Sequence, residues 1–446
     1  MTATDERNTG DRHHSRPRGL IIAAPGSGSG KTLVTLALLR ALARRGIAVG
    51  GGKSGPDYID PRFHAAAAGR ESFNLDAWAM PPERIRALAA ASGRAGCDLL
   101  LIEGAMGLFD GAPPSGRGAT ADLARILALP VVLVIDAAHM AHSVAALVAG
   151  FAQHDSAVQV AGVILNRSGS SRHEKMLSTA LKPLGIPIIG CLRRDPSLTL
   201  PARHLGLVQA GEHHDLDSFL DAAAERVEAA LDLDRLTACA APLPAPPPAS
   251  GRSMAPPASR IAIARDNAFA FIYPHLLDDW RSGGAEIAFF SPLADEPPPD
   301  EAQMIFLPGG YPELHAGRLA AADRFRRSVR RHAARGTLIY GECGGYMVLG
   351  AGLTDARGRR HEMLGLLALE TSYQNRRLHL GYRHLEGSAP PFTGPWRGHE
   401  FHYATTLRAR GDPLFAARSA EGSPLPPMGL RDGSVCGSFA HVIESA

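Results

Sequence analysis

The chain has 446 residues, 45% of them hydrophobic and 20% charged, with 47 basic against 44 acidic side chains and a net charge of +3. That length predicts two or three domains with sizeable cores, and the composition excludes fibrous, collagenous and wholly disordered chains. The charge balance supplies no excess field for steering nucleic acid, so no such partner is expected.

Residues 1–17 are polar and carry Arg7, Arg12, His13, His14 and Arg16 with no apolar stretch behind a basic start, so they read as a frayed tail rather than a secretory signal. The five cysteines (Cys97, Cys191, Cys239, Cys343, Cys436) are scattered and form no Cys-x-x-Cys pair, which points to a reducing compartment. The longest apolar runs are strand-length, so no membrane span is expected. A cytoplasmic protein follows.

From residue 18 to 236, apolar runs recur at Leu20–Ala23, Ile47–Gly50, Leu99–Ile102, Val131–Ile135, Val160–Leu165 and Ile186–Ile189. Helical stretches such as Leu33–Arg45 and Ser143–Ala152 separate them. Strands that are apolar throughout and alternate with helices predict a doubly wound parallel sheet, an α/β domain. Residues 237–259 are Pro, Ala and Ser with little to bury, and read as a linker. Residues 260–446 start a second α/β unit with strands at Ile261–Ala264, Ile287–Phe290, Met304–Leu307 and Thr337–Tyr340, and helices over Ala270–Trp280 and Ala320–Ala334. Beyond Ala351, antiparallel strands and loops are expected.

The first strand runs into Pro25-Gly26-Ser27-Gly28-Ser29-Gly30-Lys31-Thr32 and a helix. Amides of such a turn can hold phosphate oxygens, Lys31 can reach the terminal phosphates, and the Thr32 hydroxyl can ligate magnesium. The strict pattern wants Gly where Pro25 stands. Only four of the 47 basic residues are lysine, so a lysine marks a place where a compact ammonium is wanted. Lys53-Ser-Gly-Pro-Asp57-Tyr58-Ile59-Asp60 follows the second strand; Lys53, Asp57 and Asp60 should face the phosphate loop, the alternative being a plain surface turn. The third strand ends in Glu103, a metal candidate beside the nucleotide. Asp110, in the glycine-rich loop beyond, orients substrate or a second magnesium, or else caps the next helix.

The segments APGSGSGKT, KSGPDYIDP, EGAMGLFDG, ATADLA and GVILNRSGSSRHE together resemble the amide-forming half of the cobyrinic and hydrogenobyrinic acid a,c-diamide synthase family, related in fold to dethiobiotin synthetase. That family also has Pro at the place of Pro25. The resemblance covers nearly the whole chain, and NAFAFIYPHLLDDW looks closer to its hydrogenobyrinate-using branch.

Thr337–Glu342, Cys343, Gly344 and Gly345 form strand, G-x-C-x-G turn and helix, a nucleophile elbow carrying cysteine in place of serine. His441 is the candidate base. Gly310, within Leu-Pro-Gly309-Gly310-Tyr311, and the amide of Gly344 could form an oxyanion hole. These parts resemble a class I glutamine amidotransferase. That class places Glu two residues after the histidine, where this chain has Ile443, with Glu444 one further, so a Cys–His dyad is expected and a third member is left open. Gly398-His399-Glu400-Phe401-His402-Tyr403 lacks further evident metal ligands and reads as structural hydrogen bonding. Arg376, Arg377 and Arg383 either meet a polycarboxylate near the domain boundary or are solvated.

The resemblance implies ATP- and glutamine-dependent amidation of the a and c acetates of a corrin precursor in cobalamin biosynthesis. It implies Gly28, Ser29, Gly30, Lys31, Thr32 and Lys53 for ATP; Asp57, Tyr58, Asp60 and Asp110 for the activated carboxylate; and Thr32, Asp57 and Glu103 for Mg2+. The partners are then a corrin-precursor polycarboxylic acid and L-glutamine, with a homodimer left open and no nucleic acid or membrane. The competing readings are a cobyric acid synthase-type amidase and a P-loop switch ATPase fused to an inactive amidotransferase.

Overall fold

The computed structural model describes residues 16–94, 96–198, 202–203, 206–207, 209–213, 215–245 and 254–446. Most of the polar tail and the middle of the linker, 246–253, lie outside these residues.

The first sheet contains β1 (Arg18–Ala23), β2 (Val49–Ser54), β3 (Phe73–Leu75), β4 (Leu99–Glu103), β5 (Val131–Asp136), β6 (Val160–Ser168) and β7 (Ile188–Arg193), all parallel, in the order β3-β2-β4-β1-β5-β6-β7. Leu20, Ile21 and Ile22 of the central β1 are fully buried, as a strand covered on both faces requires. Ala241–Pro242, placed in the linker by composition, instead pairs antiparallel with the start of the central β1. β2 starts and ends later than its apolar run suggested. The glycines that seemed to end it let neighbours approach: a Cβ at Gly50 would lie 2.5 Å from Cys97 Sγ, and one at Gly51 2.7 Å from His64 Cβ. Lys53 is therefore inside the strand rather than behind it.

The second sheet runs Glu286–Phe290, Arg260–Ala264, Met304–Leu307, Leu338–Glu342, Val435–Ser438 and Leu430–Asp432, parallel except for the last pair. Its first helix is Pro274–Ser282 rather than Ala270–Trp280, because Pro274 disfavours helix in the residues just before it. The stretch Ala320–Ala334 divides into Ala316–Ala321 and Asp323–Ala334. Beyond Ala351 most pairings are antiparallel, as expected, the exceptions being Gly352–Thr354 with Ala368–Ser372 and the return of Val435–Ser438 to the second sheet: one sheet of five strands includes the hairpin His379–Ala389 with Phe392–His402 and the last strand Ala440–Ser445, and another has four.

The two units share one apolar core. Trp78 and Ile85 of the first pack in the same cluster as Tyr273, Trp280 and Leu385 of the second. Polar contacts cross the same boundary. Arg84, 5% exposed, donates to Asp279 and, at 2.9 Å, to Glu444. Asp76 accepts the Tyr382 hydroxyl at 3.0 Å, with Trp78 stacked on Tyr382 at 4.3 Å. The Arg62 guanidinium donates to the Ala270 carbonyl at 2.9 Å. Among the described residues no helix is long and apolar enough to cross a membrane.

Candidate active site

The nucleotide loop lies between β1 and the helix Lys31–Arg44, whose Leu- and Ala-rich face is buried. Gly28 and Gly30 have φ of 82° and 83°, a conformation that glycine adopts without strain. The helix starts with no side-chain cap and no acid in its first turn, so its N-terminal amides face the loop uncompensated. From β6, Asn166 donates to the Ser29 carbonyl and Arg167 to the Gly28 carbonyl, each at 2.9 Å. At φ 83° a side chain at Gly30 would be strained, and its Cβ, 2.3 Å from Asn166 Nδ2, would displace the amide that holds the loop. Asn166 and Arg167 lie within GVILNRSGSSRHE, where no local pattern marks them as partners of the loop.

β1, β2 and β4 are neighbours, with Glu103 in register with both Ile22 and Lys53. This puts the predicted groups on one carboxyl edge. Glu103 is fully buried and receives three donors: Thr32 Oγ1 at 2.5 Å, Lys53 Nζ at 3.0 Å and His64 Nε2 at 2.7 Å. Burial alone would raise its pKa, but the Lys53 ammonium and His64 outweigh burial and hold the carboxyl well below its ordinary range. Lys53 also donates to Asp60 at 2.5 Å; despite burial, Asp60 and Glu103 hold it protonated well above its ordinary range. Burial and the nearby Asp57 push Asp60 up to about 6, against the pull of Lys53. Burial lowers Lys31, with Lys53 adding to the effect and Glu103 opposing it. His64 was not foreseen, since nothing local marks a histidine on Asp60–Ala68 as facing Glu103.

Asp57 is exposed and accepts the amides of Ile59 and Asp60 at 2.7 and 3.1 Å. Asp110 is exposed too and accepts the Gly107 amide at 2.9 Å, closing its own loop; the following helix starts only at Thr120, so it is not that helix's cap. Tyr58 turns its ring into the other unit, against Tyr273 and His441. A cavity of about 1430 Å³ opens beside Gly30 and Thr32, walled by Asn166, Arg167, Asp195 and Arg226.

In the second unit Cys343 sits between strand and helix with φ 49° and ψ −101°, the strained turn expected of an elbow. The turn exists only because its neighbours are small: a Cβ at Gly345 would lie 1.7 Å from the Leu307 carbonyl oxygen, and one at Gly310 2.1 Å from that of Ala268. A Cβ at Gly344 would reach 3.0 Å from the Gly310 amide nitrogen, so the two backbone groups expected to share an oxyanion are close neighbours.

His441 is buried, feels the charge of the neighbouring Cys343, and is hydrogen-bonded through Nδ1 to Glu342 Oε1 at 2.9 Å. Glu342 is fixed in turn by the Tyr340 hydroxyl at 3.0 Å and the Val442 amide at 3.1 Å. The carboxylate that meets His441 is thus Glu342, the residue before Cys343, while Glu444 is committed to Arg84. Burial would lower the imidazole's pKa, but Cys343 and Glu342 outweigh it and raise it to about 10. His399, opposite His441 in the sheet, is pushed down to about 3 by burial and by the His441 charge.

Glu400 receives Arg383 at 2.7 Å and His402 at 3.0 Å, the structural hydrogen bonding expected of this stretch. The hairpin adds His379, so three ligand-type residues, His379, Glu400 and His402, bring their atoms within 4.8 Å of one another. Arg376 and Arg377 are exposed and unengaged by any described side chain, next to exposed Leu378 and Leu380.

Residues 20–208 match the CobQ/CobB/MinD/ParA nucleotide binding domain, and residues 260–446 the CobB/CobQ-like glutamine amidotransferase domain. The chain is similar to the hydrogenobyrinate a,c-diamide synthase of Brucella anthropi, 58% identical over 430 residues, covering 96% of this chain and 98% of the relative. It is also similar to those of a Sinorhizobium species, at 56%, and of Rhodobacter capsulatus, at 54%, each covering 96% of this chain and 99% of the relative. Identity sustained at that level across both units means that the chain belongs to the hydrogenobyrinate a,c-diamide synthase family.

Proposed function

We propose that the chain converts the a and c acetate side chains of hydrogenobyrinic acid to amides, spending one ATP and one glutamine on each. The observation that carries this reading is that a nucleotide site and a buried Cys343–His441–Glu342 set lie in one chain, joined by a shared apolar core.

A carboxylate cannot lose oxide to ammonia at neutral pH. Its oxygen attacks the γ-phosphorus of ATP, ADP leaves, and the resulting acyl phosphate has a phosphate leaving group. The amides of Gly28, Ser29 and Gly30, with Lys31, hold the phosphates; the adjoining cavity takes the rest of the nucleotide. The donors Thr32, Glu103 and Asp57 are all oxygens, the set a magnesium ion prefers, and the 2.5 Å contact of Thr32 with Glu103 already brings two of them together. Bound there, the ion would neutralise phosphate charge. Asp60, Tyr58 and Asp110 belong to the segments that border the acid to be activated.

At the other site the Cys343 sulfur attacks the glutamine amide carbon, and the oxyanion faces the amides of Gly310 and Gly344. His441 gives its proton to the departing nitrogen, releasing ammonia and leaving a thioester. Water then hydrolyses the thioester to glutamate. Ammonia attacks the acyl phosphate carbon, phosphate leaves, and the amide is complete. Because ammonia in bulk water at pH 7 is mostly ammonium, release beside the acceptor keeps its lone pair available.

Mass spectrometry of hydrogenobyrinic acid incubated with ATP, magnesium and glutamine tests this. A product about one mass unit lighter per converted acid, two conversions in all, is expected. Cys343→Ala should abolish product with glutamine and keep it with ammonium salts at raised pH. Equal loss with both donors would contradict the division of labour.

A further inference from the structure

The Lys53–Asp60 segment makes one contact that the steps above do not use. Between Asp57 and Asp60 the ring of Tyr58 leaves its own domain and lies 4.6 Å from the His441 imidazole, centroid to centroid, at an interplanar angle of 42°. It is 4.3 Å from Tyr273 and 5.5 Å from Phe271, so it is wedged between the base and two aromatic rings of the amidotransferase unit. Glu342 fixes the imidazole by its Nδ1, and Gly309 packs against the adjoining Cε1, where a Cβ at residue 309 would lie 2.5 Å away. Tyr58 adds the restraint on the ring face, and it comes from the opposite domain.

Tyr58 cannot shift independently of the nucleotide site. On one side, the Tyr273 hydroxyl donates to the Pro56 carbonyl at 3.1 Å. On the other, Asp57 binds the amides of Ile59 and Asp60, while Asp60 accepts from Lys53, which reaches Glu103. An incoming phosphate or carboxylate competes with Asp60, two residues from Tyr58 in the chain, for the Lys53 ammonium.

We propose that Tyr58 is a positioning residue for His441, through which occupancy of the nucleotide site sets how well the imidazole serves Cys343. The inference rests on the amidation reading and concerns its regulation: glutamine is split quickly only when ATP and an acid are in place to use the ammonia.

The test compares full-length wild type, Tyr58→Ala, Tyr58→Leu and Tyr58→Phe. Amide formation is measured with glutamine and with ammonium chloride, and glutamate release with and without ATP plus hydrogenobyrinic acid. The wild type should release glutamate faster when both are added. In Tyr58→Ala and Tyr58→Leu the ratio of ammonium-supported to glutamine-supported synthesis should rise by about tenfold or more, the cost of a modest misplacement of a catalytic group. Glutamate release should lose its stimulation and its pH profile should move. Tyr58→Phe, which keeps the ring, should restore the wild-type ratio. An unchanged ratio in the Ala and Leu variants, a Phe variant as impaired as Ala, or a wild type whose glutamate release ignores ATP and acid would each overturn the proposal. The last observation applies even if the Ala and Leu variants do not fold. Failure of the amidation reading looks different: the wild type would then yield no amide with either nitrogen source.

Discussion

Glu444 accepts a hydrogen bond from Arg84 across the domain boundary, at 2.9 Å, and is thereby withheld from His441, three residues before it in sequence. Arg84 also binds Asp279, which accepts the Met254 amide at 3.0 Å, so one guanidinium joins the synthetase unit to a strand, a helix and the start of the amidotransferase unit. Burial raises both acids' pKa values and Arg84 opposes it, the pattern of charges that depend on their partner.

Removing Arg84 would strand two buried carboxylates. Arg84→Ala should cost about 3–5 kcal/mol of stability, measured by denaturant unfolding. Glu444→Gln should leave glutamate release nearly unchanged, whereas Glu342→Gln should not. Equal loss in the two Gln variants would refute the assignment of Glu342 as the third member.

The pH dependence of glutamate release checks the same assignment. With His441 raised to about 10, the imidazolium survives through neutral pH and the alkaline limb of the profile should lie near that value. Glu342→Gln removes a charge that raises it, and the limb should move toward the ordinary 6.5. The sign for stability follows. A raised folded-state value contributes stability that is fully present below 6.5 and is lost as pH rises through about 10.

Glu103 gathers Thr32, Lys53 and His64, so Glu103→Gln should impair synthesis with either nitrogen source. The magnesium concentration for half-maximal rate should rise by about tenfold or more, as for other groups that set a metal site. An unchanged metal titration in a folded variant would remove Glu103 from the site.

The side chains of Arg376 and Arg377 meet no partner among the described residues and stand beside exposed Leu378 and Leu380, a pairing that suits an apolar ring bearing carboxylates. Replacing both with Ala should raise KM for hydrogenobyrinic acid on the order of tenfold per lost charge-assisted contact. The KM for glutamine should not change. If neither KM moves, these arginines are simply solvated.

The fold was largely legible because its strands are apolar throughout and punctuated by glycine-rich turns. The gathering of Thr32, Lys53, Asp60 and Glu103 was legible as well, since groups at the carboxyl ends of buried parallel strands meet at one edge, although Lys53 lies inside its strand rather than behind it. What failed to show was set by contacts without a local pattern. Glu342 stood inside the quoted elbow, but its role depends on a strand 100 residues later. His64, Arg84 and Tyr58 act across helices or domains, and no periodicity in sequence records what lies on the far side of an interface. The glycines of β2 misled for a related reason, because their need for close packing looks in sequence like the end of a strand.

The crowding at the elbow bears on how this enzyme could be altered. With the Leu307 carbonyl 1.7 Å from where a methyl would sit at residue 345, a library randomised over the elbow should return glycine at that position in every active clone. New donor preferences would have to be sought in the walls of the cleft, because the hinge under the sulfur tolerates no added carbon.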